Sequence, residues 1–190
     1  MKESISSRQT KLLLAKTLKS KMLGKPLSKI TVTSLIRDCK VNRRTFYYHF
    51  DNLYKLLEWL FDQEALELIR NAGDSQNLGN GLLELLQYIR SNEAFCRTAL
   101  ASIGYERLSS MLSDALVQAL DPIIDSIILG RKADKAKIGF IAMFYASATA
   151  QALARWMQSD LGLTAEEMLA MIKPTLESGL AVSVEKAMEA

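Results

Sequence analysis

One ten-residue segment concentrates side chains whose chemistry suits nucleic acid. Residues 41–50 read Val-Asn-Arg-Arg-Thr-Phe-Tyr-Tyr-His-Phe and contain the only histidine of the chain. Asn42 is a favourable N-cap residue, so Arg43 and Arg44 are expected in the first turn of a short helix. A guanidinium can bond O6 and N7 of guanine together, and hydroxyl and imidazole groups can bond phosphates. The segment is therefore predicted to insert into a DNA major groove.

The same segment has an apolar side. Phe46 and Phe50 are four residues apart, share one face of the helix and are predicted to be buried. The polar groups then project together from the exposed side. Tyr47 has two interpretations, because its ring can also lie in the core with only the hydroxyl at the surface.

A second helix is predicted just upstream. Thr31 can cap a helix that ends near Cys39. Leu35, Ile36 and Cys39 face inward in this helix. About three residues separate it from the helix that Asn42 begins, which is the geometry of a helix-turn-helix.

These residues resemble the TetR family of transcriptional regulators. The resemblance is specific over residues 8–60 and weaker in the C-terminal half. It rests on Thr31, Val32, Leu35, Ile36, Val41, Asn42, residues 45–50, Leu56 and Leu57. Residues 45–50 together with residues 51–59 are most similar to the branch that includes the dihydroxyacetone-kinase operon activator.

The resemblance implies an architecture and a mode of action. It implies an all-α fold with an N-terminal three-helix DNA-binding domain and a C-terminal helical bundle. It also implies a homodimer that binds a pseudo-palindromic operator in double-stranded DNA. The residues matching DNA-contacting positions are Thr33 in the first helix of the motif, Arg43, Arg44 and Thr45 for bases and nearby phosphates, and Tyr47, Tyr48 and His49 mainly for phosphates and sugars.

Two residues depart from the family pattern. Lys40 stands in the turn where the family usually has glycine. Either the turn differs, or Lys40 adopts a left-handed conformation at a cost of about 1–2 kcal/mol. Leu53 stands where the family usually has a phosphate-binding lysine, and Lys55 is a candidate substitute.

The resemblance leaves two kinds of effector open. Most members bind a small molecule in the C-terminal domain, which tilts the helix linking the two domains. The branch named above also includes a member controlled through a partner protein. Side chains that could line a cavity are Tyr88, Phe95, Arg97, Tyr105, Met111, Phe140 and Phe144. Aromatic and Met residues at helical spacing are more often plain core, so we assign no effector-binding residue.

The charge of the chain is unevenly distributed. Residues 1–60 hold 13 Lys and Arg against 4 Asp and Glu, whereas residues 61–190 hold 11 against 17. A basic head on an acidic body is typical of a DNA-binding module joined to a regulatory domain, although a solvated basic face gives the same balance. We predict a DNA-binding domain over residues 1–51 and a helical effector-response and dimerisation domain over residues 52–190.

Other classes of function find less support. No nucleophile elbow, phosphate loop, metal-ligand spacing or carboxylate pair stands out, so we predict no enzyme, no cofactor and no metal. Cys39 is interpreted as a small core residue, and a redox-sensing role for Cys96 is a minor alternative. A helical adaptor that binds only proteins would leave residues 43–49 without a role. No signal peptide or membrane-length apolar run occurs, which predicts a soluble, cytoplasmic protein without a membrane partner.

Apolar periodicity predicts helices along the whole chain. They cover residues 8–23, 52–70, 80–91, 93–101, 105–129, 134–158 and 165–182, with a loop over 71–81. Asp51 or Asn52 caps the second of these helices. Its apolar face comprises Leu53, Leu56, Leu57, Leu60, Phe61 and Leu68. Pro122 either kinks one long helix or starts a new one, and Pro174 is predicted to kink the last helix.

The last two helices, 134–158 and 165–182, are predicted to form a homodimer interface. Thr164 and Glu167 make a capping box at the start of the second. The first has one apolar seam of Ile138, Ala142, Tyr145, Thr149, Ala152 and Trp156, and a second face of Phe140, Phe144, Ala148 and Gln151. A helix apolar on two faces needs two partners, which a four-helix bundle between two subunits supplies. A central helix buried inside a monomer is the alternative.

Overall fold

A computed structural model describes residues 5–71, 75–159 and 162–189. Over those ranges the chain is helical and contains no strand, as predicted. The elements are α1 (Ile5–Met22), a 3₁₀ turn (Leu27–Lys29), α2 (Val32–Cys39), α3 (Arg43–His49), α4 (Leu53–Phe61), a π-helical turn (Asp62–Leu66), α5 (Glu67–Arg70), α6 (Ser75–Ser91), α7 (Glu93–Ile103), α8 (Tyr105–Ile128), α9 (Lys135–Ser159) and α10 (Ala165–Glu189).

The first three helices form a small N-terminal head. α1 packs on α2 and α4, and α2 packs on α3. Leu14, Leu18 and Leu35 are fully buried between these helices. Burying a side chain of this size contributes about 1.5–3 kcal/mol, so these leucines stabilise the packing of the head helices.

A longer helical segment links the head to the body. α4 continues through the π-helical turn into α5. Asn52, and not Asp51, caps it by accepting a hydrogen bond from the Lys55 N–H at 3.0 Å. The predicted apolar face is buried as far as Phe61, but Leu68 is only half-buried and Ile69 is buried instead. The wider π turn adds one residue and shifts the register of everything that follows.

The C-terminal body consists of α6 to α10. α8 and α9 form its main helical pair, and α10 packs on α6, α8 and α9. A row of small residues at four-residue spacing lets α9 approach its neighbours closely, and all four are buried: Ala142, Ala146, Ala150 and Ala154. Hydrogen bonds of 2.8 and 3.1 Å between Thr164 and Glu167 confirm the capping box of α10.

Two predicted element boundaries are wrong. α6 begins at Ser75, so the loop predicted over 71–81 is helical from that residue onward, while residues 72–74 lie outside the described ranges. Leu78 is 1% exposed and extends the apolar stripe of α6 by one turn, which outweighs the glycines. α10 continues past residue 182 to Glu189 because Val184 is fully buried and prolongs its stripe in the same way.

Both predicted proline sites lie inside continuous helices. Pro122 is part of α8, which resolves the two alternatives in favour of a single helix, and Pro174 is part of α10. Both prolines are exposed, so each occupies the solvent side of its helix. α8 ends where Leu129 and Gly130 take left-handed backbone conformations, with φ of 48° and 74°.

No helix within the described ranges is both long and apolar enough to cross a membrane.

Candidate nucleic-acid interface

The turn between α2 and α3 is tight and depends on an unusual lysine. Lys40 has φ 54° and ψ 37°, the left-handed conformation that was one of the two expectations for this position. The Lys40 and Val41 N–H groups bond back to the carbonyls of Arg37 and Ile36 at 3.2 and 3.1 Å. These bonds close the end of α2 and offset the cost of about 1–2 kcal/mol for a residue with a Cβ.

Caps at the two helix starts fix how α2 and α3 begin. Thr31 Oγ1 accepts a hydrogen bond from the Ser34 N–H at 3.1 Å, as its N-cap position predicts. Asn42 Oδ1 accepts bonds from both the N–H and the hydroxyl of Thr45, at 2.7 and 3.0 Å. The Thr45 hydroxyl proton is therefore engaged within the protein, and Thr45 is half-buried.

The inner side of α3 is an aromatic platform. Phe46 is fully buried and Phe50 is 6% exposed, as their spacing predicts. Their ring centroids lie 6.3 Å apart, and Phe50 meets Trp59 of α4 edge-on at 5.7 Å. This packing anchors α3 from behind and leaves its outer side open.

The outer side of α3 carries cations and phenols. Arg43 and Arg44 are exposed, and Tyr48 is 80% exposed. Tyr47 is 45% exposed, with its ring edge against Phe46 at 5.2 Å and its hydroxyl accepting a bond from Arg43 Nη2 at 3.2 Å. The Arg43 guanidinium also lies 5.3 Å from the Tyr47 ring centroid, so the two side chains support each other.

The remaining predicted residues lie on or beside the same motif. His49 is half-buried at the end of α3 and meets Tyr48 edge-on at 4.9 Å between ring centroids. Thr33 is exposed in the first turn of α2. Thus α3 brings together six of the seven residues expected to contact DNA, and Thr33 belongs to the preceding helix.

Leu53, the second departure from the family pattern, is a core residue. Leu53 is 8% exposed and belongs to the core, so it offers no cation. Lys55, the candidate substitute, donates to Glu58 at 3.1 Å. Glu58 also accepts two bonds from Arg107 of α8, at 3.0 and 3.2 Å. Arg107 is the main cause that holds the pKa of Glu58 below its usual range.

Two exposed cations beside the motif were missed by the sequence prediction. Arg37 has a side chain 78% exposed, and Lys40 is exposed in the turn. Their charge was visible in the sequence, but their exposure was not. Asp38 is the only carboxylate within residues 5–50, and Lys21 pairs with it. The hydrogen bond from Lys21 lowers the pKa of Asp38, so this acid stays ionised but neutralised.

The two cysteines are core residues. Cys39 is 7% exposed, as predicted, and Cys96 is 1% exposed. Burial raises the pKa of the Cys39 thiol and raises that of Cys96 to about 12. Neither thiol has the thiolate character that a redox sensor uses. Within the described ranges no group of His, Cys, Asp and Glu is arranged to hold a metal ion.

The residues considered for an effector cavity do not line one common cavity. Phe95 is buried in the core, whereas Phe140 and Phe144 are exposed on α9. Arg97 lines a cleft of about 510 Å³ between the head and α7, and Met111 lines a different cleft of about 380 Å³ along α4 and α8.

Comparison with known proteins identifies the family. Residues 76–178, more than half of the chain, match the TetR C-terminal family model described as "Transcriptional regulator C-terminal region". Over 95 residues the chain is 36% identical to the HTH-type dhaKLM operon transcriptional activator DhaS of Lactococcus lactis. That match covers 50% of this chain and 49% of the relative, so the chain spans about half the length of this curated relative.

Two solved structures share the fold. The dihydroxyacetone kinase operon activator DhaS superposes with a TM-score of 0.68 at 24% identity, covering 91% of this chain and 97% of that one. A TetR transcriptional regulator from Streptococcus agalactiae 2603V superposes with a TM-score of 0.59 at 22% identity, covering 90% and 95%. The chain belongs to the TetR family of transcriptional regulators.

Proposed function

We propose that this regulator binds a pseudo-palindromic DNA operator as a homodimer and that an effector acting on its C-terminal domain controls the binding. Residues 1–51 would supply the DNA-binding domain and residues 52–190 the effector-response and dimerisation domain. One observation carries the proposal. α3 is anchored to the core through the buried rings of Phe46 and Phe50, and it exposes two arginines and two tyrosines on its outer side.

The roles of the exposed groups follow from their chemistry. Arg43 and Arg44, in the first turn of α3, are the base readers, because a guanidinium can bond guanine O6 and N7 together. Tyr47, Tyr48 and His49 bond phosphates and sugars and fix the orientation of the helix. Thr45 and Thr33 add contacts from the start of α3 and from α2. Support comes from the pairing of Asp38, the one carboxylate of residues 5–50, with Lys21 and Arg37, because its negative charge is offset within the protein.

Dimerisation is supported by an exposed apolar face on α9. Phe140 is 61% exposed, Met143 51% and Phe144 56%. Between residues 138 and 154 α9 carries no Asp, Glu, Lys or Arg. Large contiguous apolar patches are uncommon on monomers and mark interaction sites. The opposite seam of α9 faces its own chain, since Ala142, Thr149 and Trp156 are buried there.

α10 contributes a second exposed stripe next to the first. Met171 is 62% exposed and Val182 50%, with Thr175 and Ser178 exposed between them. α9 and α10 are joined within the chain by a 2.9 Å hydrogen bond between Tyr145 and Ser183. Two such helix pairs can associate as a four-helix bundle that buries about 2,000 Å² or more.

Effector control rests on the linking helix. α4 packs on α1 of the head and on α7 of the body, so a tilt of this helix moves each reading head. The effector is a small molecule or a partner protein. A relative is named as an operon activator, which makes activation as well as repression an outcome to measure.

Selection of bound duplexes from a random DNA pool, read by sequencing at near-physiological salt, tests the proposal. We expect an inverted repeat whose half-sites are a helical turn or more apart. Arg44→Ala should change or erase the recovered motif. Lys132→Ala, at an exposed cation between α8 and α9, should leave it unchanged. Recovery of only salt-sensitive, sequence-independent binding would contradict sequence-specific recognition.

A further inference from the structure

Three parts of the molecule meet at one partly buried ammonium group. Lys19 of α1 donates to Glu64 Oε2 at 2.5 Å and to the Tyr88 hydroxyl at 3.2 Å. Tyr88 of α6 donates to the same Glu64 oxygen at 2.7 Å. The closed triangle therefore joins the head, the linking segment and the body, across sequence separations of 45 and 69 residues.

The cluster of Lys19, Glu64 and Tyr88 is largely shielded from solvent. The side chains of Lys19 and Glu64 are only 22% and 31% exposed. The Lys19 ammonium also lies 5.0 Å from the ring centroids of both Tyr88 and Phe95. Aromatic faces attract a cation more strongly as water is removed, so these rings hold Lys19 in place from the body side. Burial and the neighbouring Glu64 carboxylate raise the pKa of Tyr88, which keeps its hydroxyl a donor.

The π-helical turn explains why Glu64 is available. Leu57, Leu60 and Phe61 are buried, so an uninterrupted α-helix would carry residue 64 into the same core face. The π turn Asp62–Leu66 adds one residue, and Ala65 takes the core position instead, at 0% exposed. Glu64 moves to the edge of that face, where it meets Lys19. Single π turns are frequent at functional sites, and this one has a specific consequence.

A second set of ion pairs on the linking helix does not involve the head. Glu58 of α4 is bonded to Arg107 of α8 and to Lys55 of α4 itself. This pair ties the linking helix to the body only. Lys19 adds α1 of the head to the linking segment and the body at a single point.

We propose that Lys19, Glu64 and Tyr88 form a latch that fixes the orientation of the head relative to the body. The three are positioning residues, since they act on the heads through α1 and do not lie on α3. The consequence for DNA rests on the proposed function: a latched head holds the two reading helices at one spacing. Opening the latch removes one polar constraint on the orientation of the head without altering the DNA-contacting surface.

Distances between spin labels within one chain test the latch without any DNA. Labels go on Lys29→Cys in the head and Gln118→Cys in the body, both exposed positions, while Cys39 and Cys96 are buried. Labelled chains are diluted with unlabelled chains so that one label pair is read at a time. Glu64→Gln and Tyr88→Phe remove the charge and the hydroxyl with little change of shape.

The latch predicts a broader distance distribution in both variants, with its mean shifted by about 2 Å or more. The control Glu93→Gln breaks an ion pair with Arg97 that lies within α7 alone, and it should change nothing. Distributions identical to the parent in Glu64→Gln and Tyr88→Phe, at unchanged helicity, would overturn the proposal.

A second measurement uses the operator recovered from the random pool. The ratio of affinities for that operator and for one with two base pairs added between half-sites should fall about tenfold in Glu64→Gln. An unchanged ratio together with a broadened distance distribution would overturn the role in spacing. If the parent recovers no operator, the proposed function fails, and the distance measurement still decides the latch.

Discussion

The folded chain leaves two pairs of aromatic side chains exposed. One pair is Tyr47 and Tyr48 on α3, and the other is Phe140 and Phe144 on α9. The tyrosines are 45% and 80% exposed and the phenylalanines 61% and 56%. The surroundings of the two pairs differ. Arg43 and Arg44 accompany the tyrosines in one short helix, whereas the phenylalanines lie in a stretch of α9 without a charged residue. The two exposed aromatic pairs therefore lie on surfaces of opposite chemical character.

The difference indicates what each surface can bind. Phenols and guanidinium groups can exchange water for phosphate oxygens and base edges, so the α3 surface loses little when it stays hydrated between binding events. The α9 surface has no charged groups that could exchange water for polar atoms of a partner. The free-energy cost of exposing its apolar side chains is removed only when another apolar surface covers them. The proposed function assigns the first face to DNA and the second to another copy of the chain.

Phe46→Ala should have the largest effect, because it removes the buried support of the α3 surface. Phe46 is 0% exposed, so a loss of about 3–5 kcal/mol in the free energy of unfolding is expected. Urea denaturation followed by circular dichroism measures it. Tyr48→Ala, at 80% exposed, is the matched control and should change the free energy of unfolding by less than about 0.5 kcal/mol. Equal losses in the two variants would mean that α3 is not anchored through Phe46.

Phe144→Glu should separate the subunits. A carboxylate in the centre of the proposed α9 interface would lie unpaired beside its own copy, at a cost of about 2–5 kcal/mol in the free energy of association. Sedimentation velocity over a concentration series should show the parent as a dimer and the variant as a monomer at micromolar concentration. Gln158→Glu adds the same charge at an exposed position near the end of α9 and serves as the control. A parent that stays monomeric in this series would contradict the interface.

Arg44→Ala should weaken operator binding by about 1–3 kcal/mol and relax the preference at one base position. Arg44 is exposed, so the free energy of unfolding should not change. Titration of operator variants by fluorescence anisotropy measures both the affinity and the preference. A uniform loss across all operator variants would move Arg44 from the base-reading group to the phosphate-binding group.

Tyr48→Phe should have the smallest effect. Loss of the hydroxyl removes one phosphate bond, which is expected to cost about 0.5–1.5 kcal/mol equally on every operator variant. The same substitution leaves the ring and its contact with His49 in place. Affinity measured at several salt concentrations checks it. A change in sequence preference would show that Tyr48 reads bases.

Local chemistry made much of the head predictable. Thr31 and Asn42 cap their helices through side-chain acceptors, and the preference of these residue types for the N-cap is known from sequence alone. Phe46 and Phe50 are buried, as their four-residue spacing predicts. Lys40 was predictable as a choice between two conformations. The hydrogen bonds to Arg37 and Ile36 that favour the left-handed one depend on the folded turn.

The missed features depend on long-range packing. Periodicity assumes a constant number of residues per turn, so it assigned Leu68 to a face that the π turn gives to Ile69. The glycines and asparagines of residues 71–81 favour a loop, but burial of Leu78 against the body favours helix from Ser75 onward. Likewise, the pattern of α9 identified two apolar faces without revealing which of them the chain leaves exposed.

The most direct test of the central claim is a hydroxyl-radical footprint of the parent protein on the operator recovered from the random pool. Two α3 helices related by a two-fold axis predict two protected patches, with centres about 34–36 Å or a multiple of that distance apart. Phe144→Glu should abolish the paired pattern at concentrations where it is a monomer. A single protected patch with the parent, or protection spread evenly along the duplex, would contradict a two-headed DNA-binding regulator.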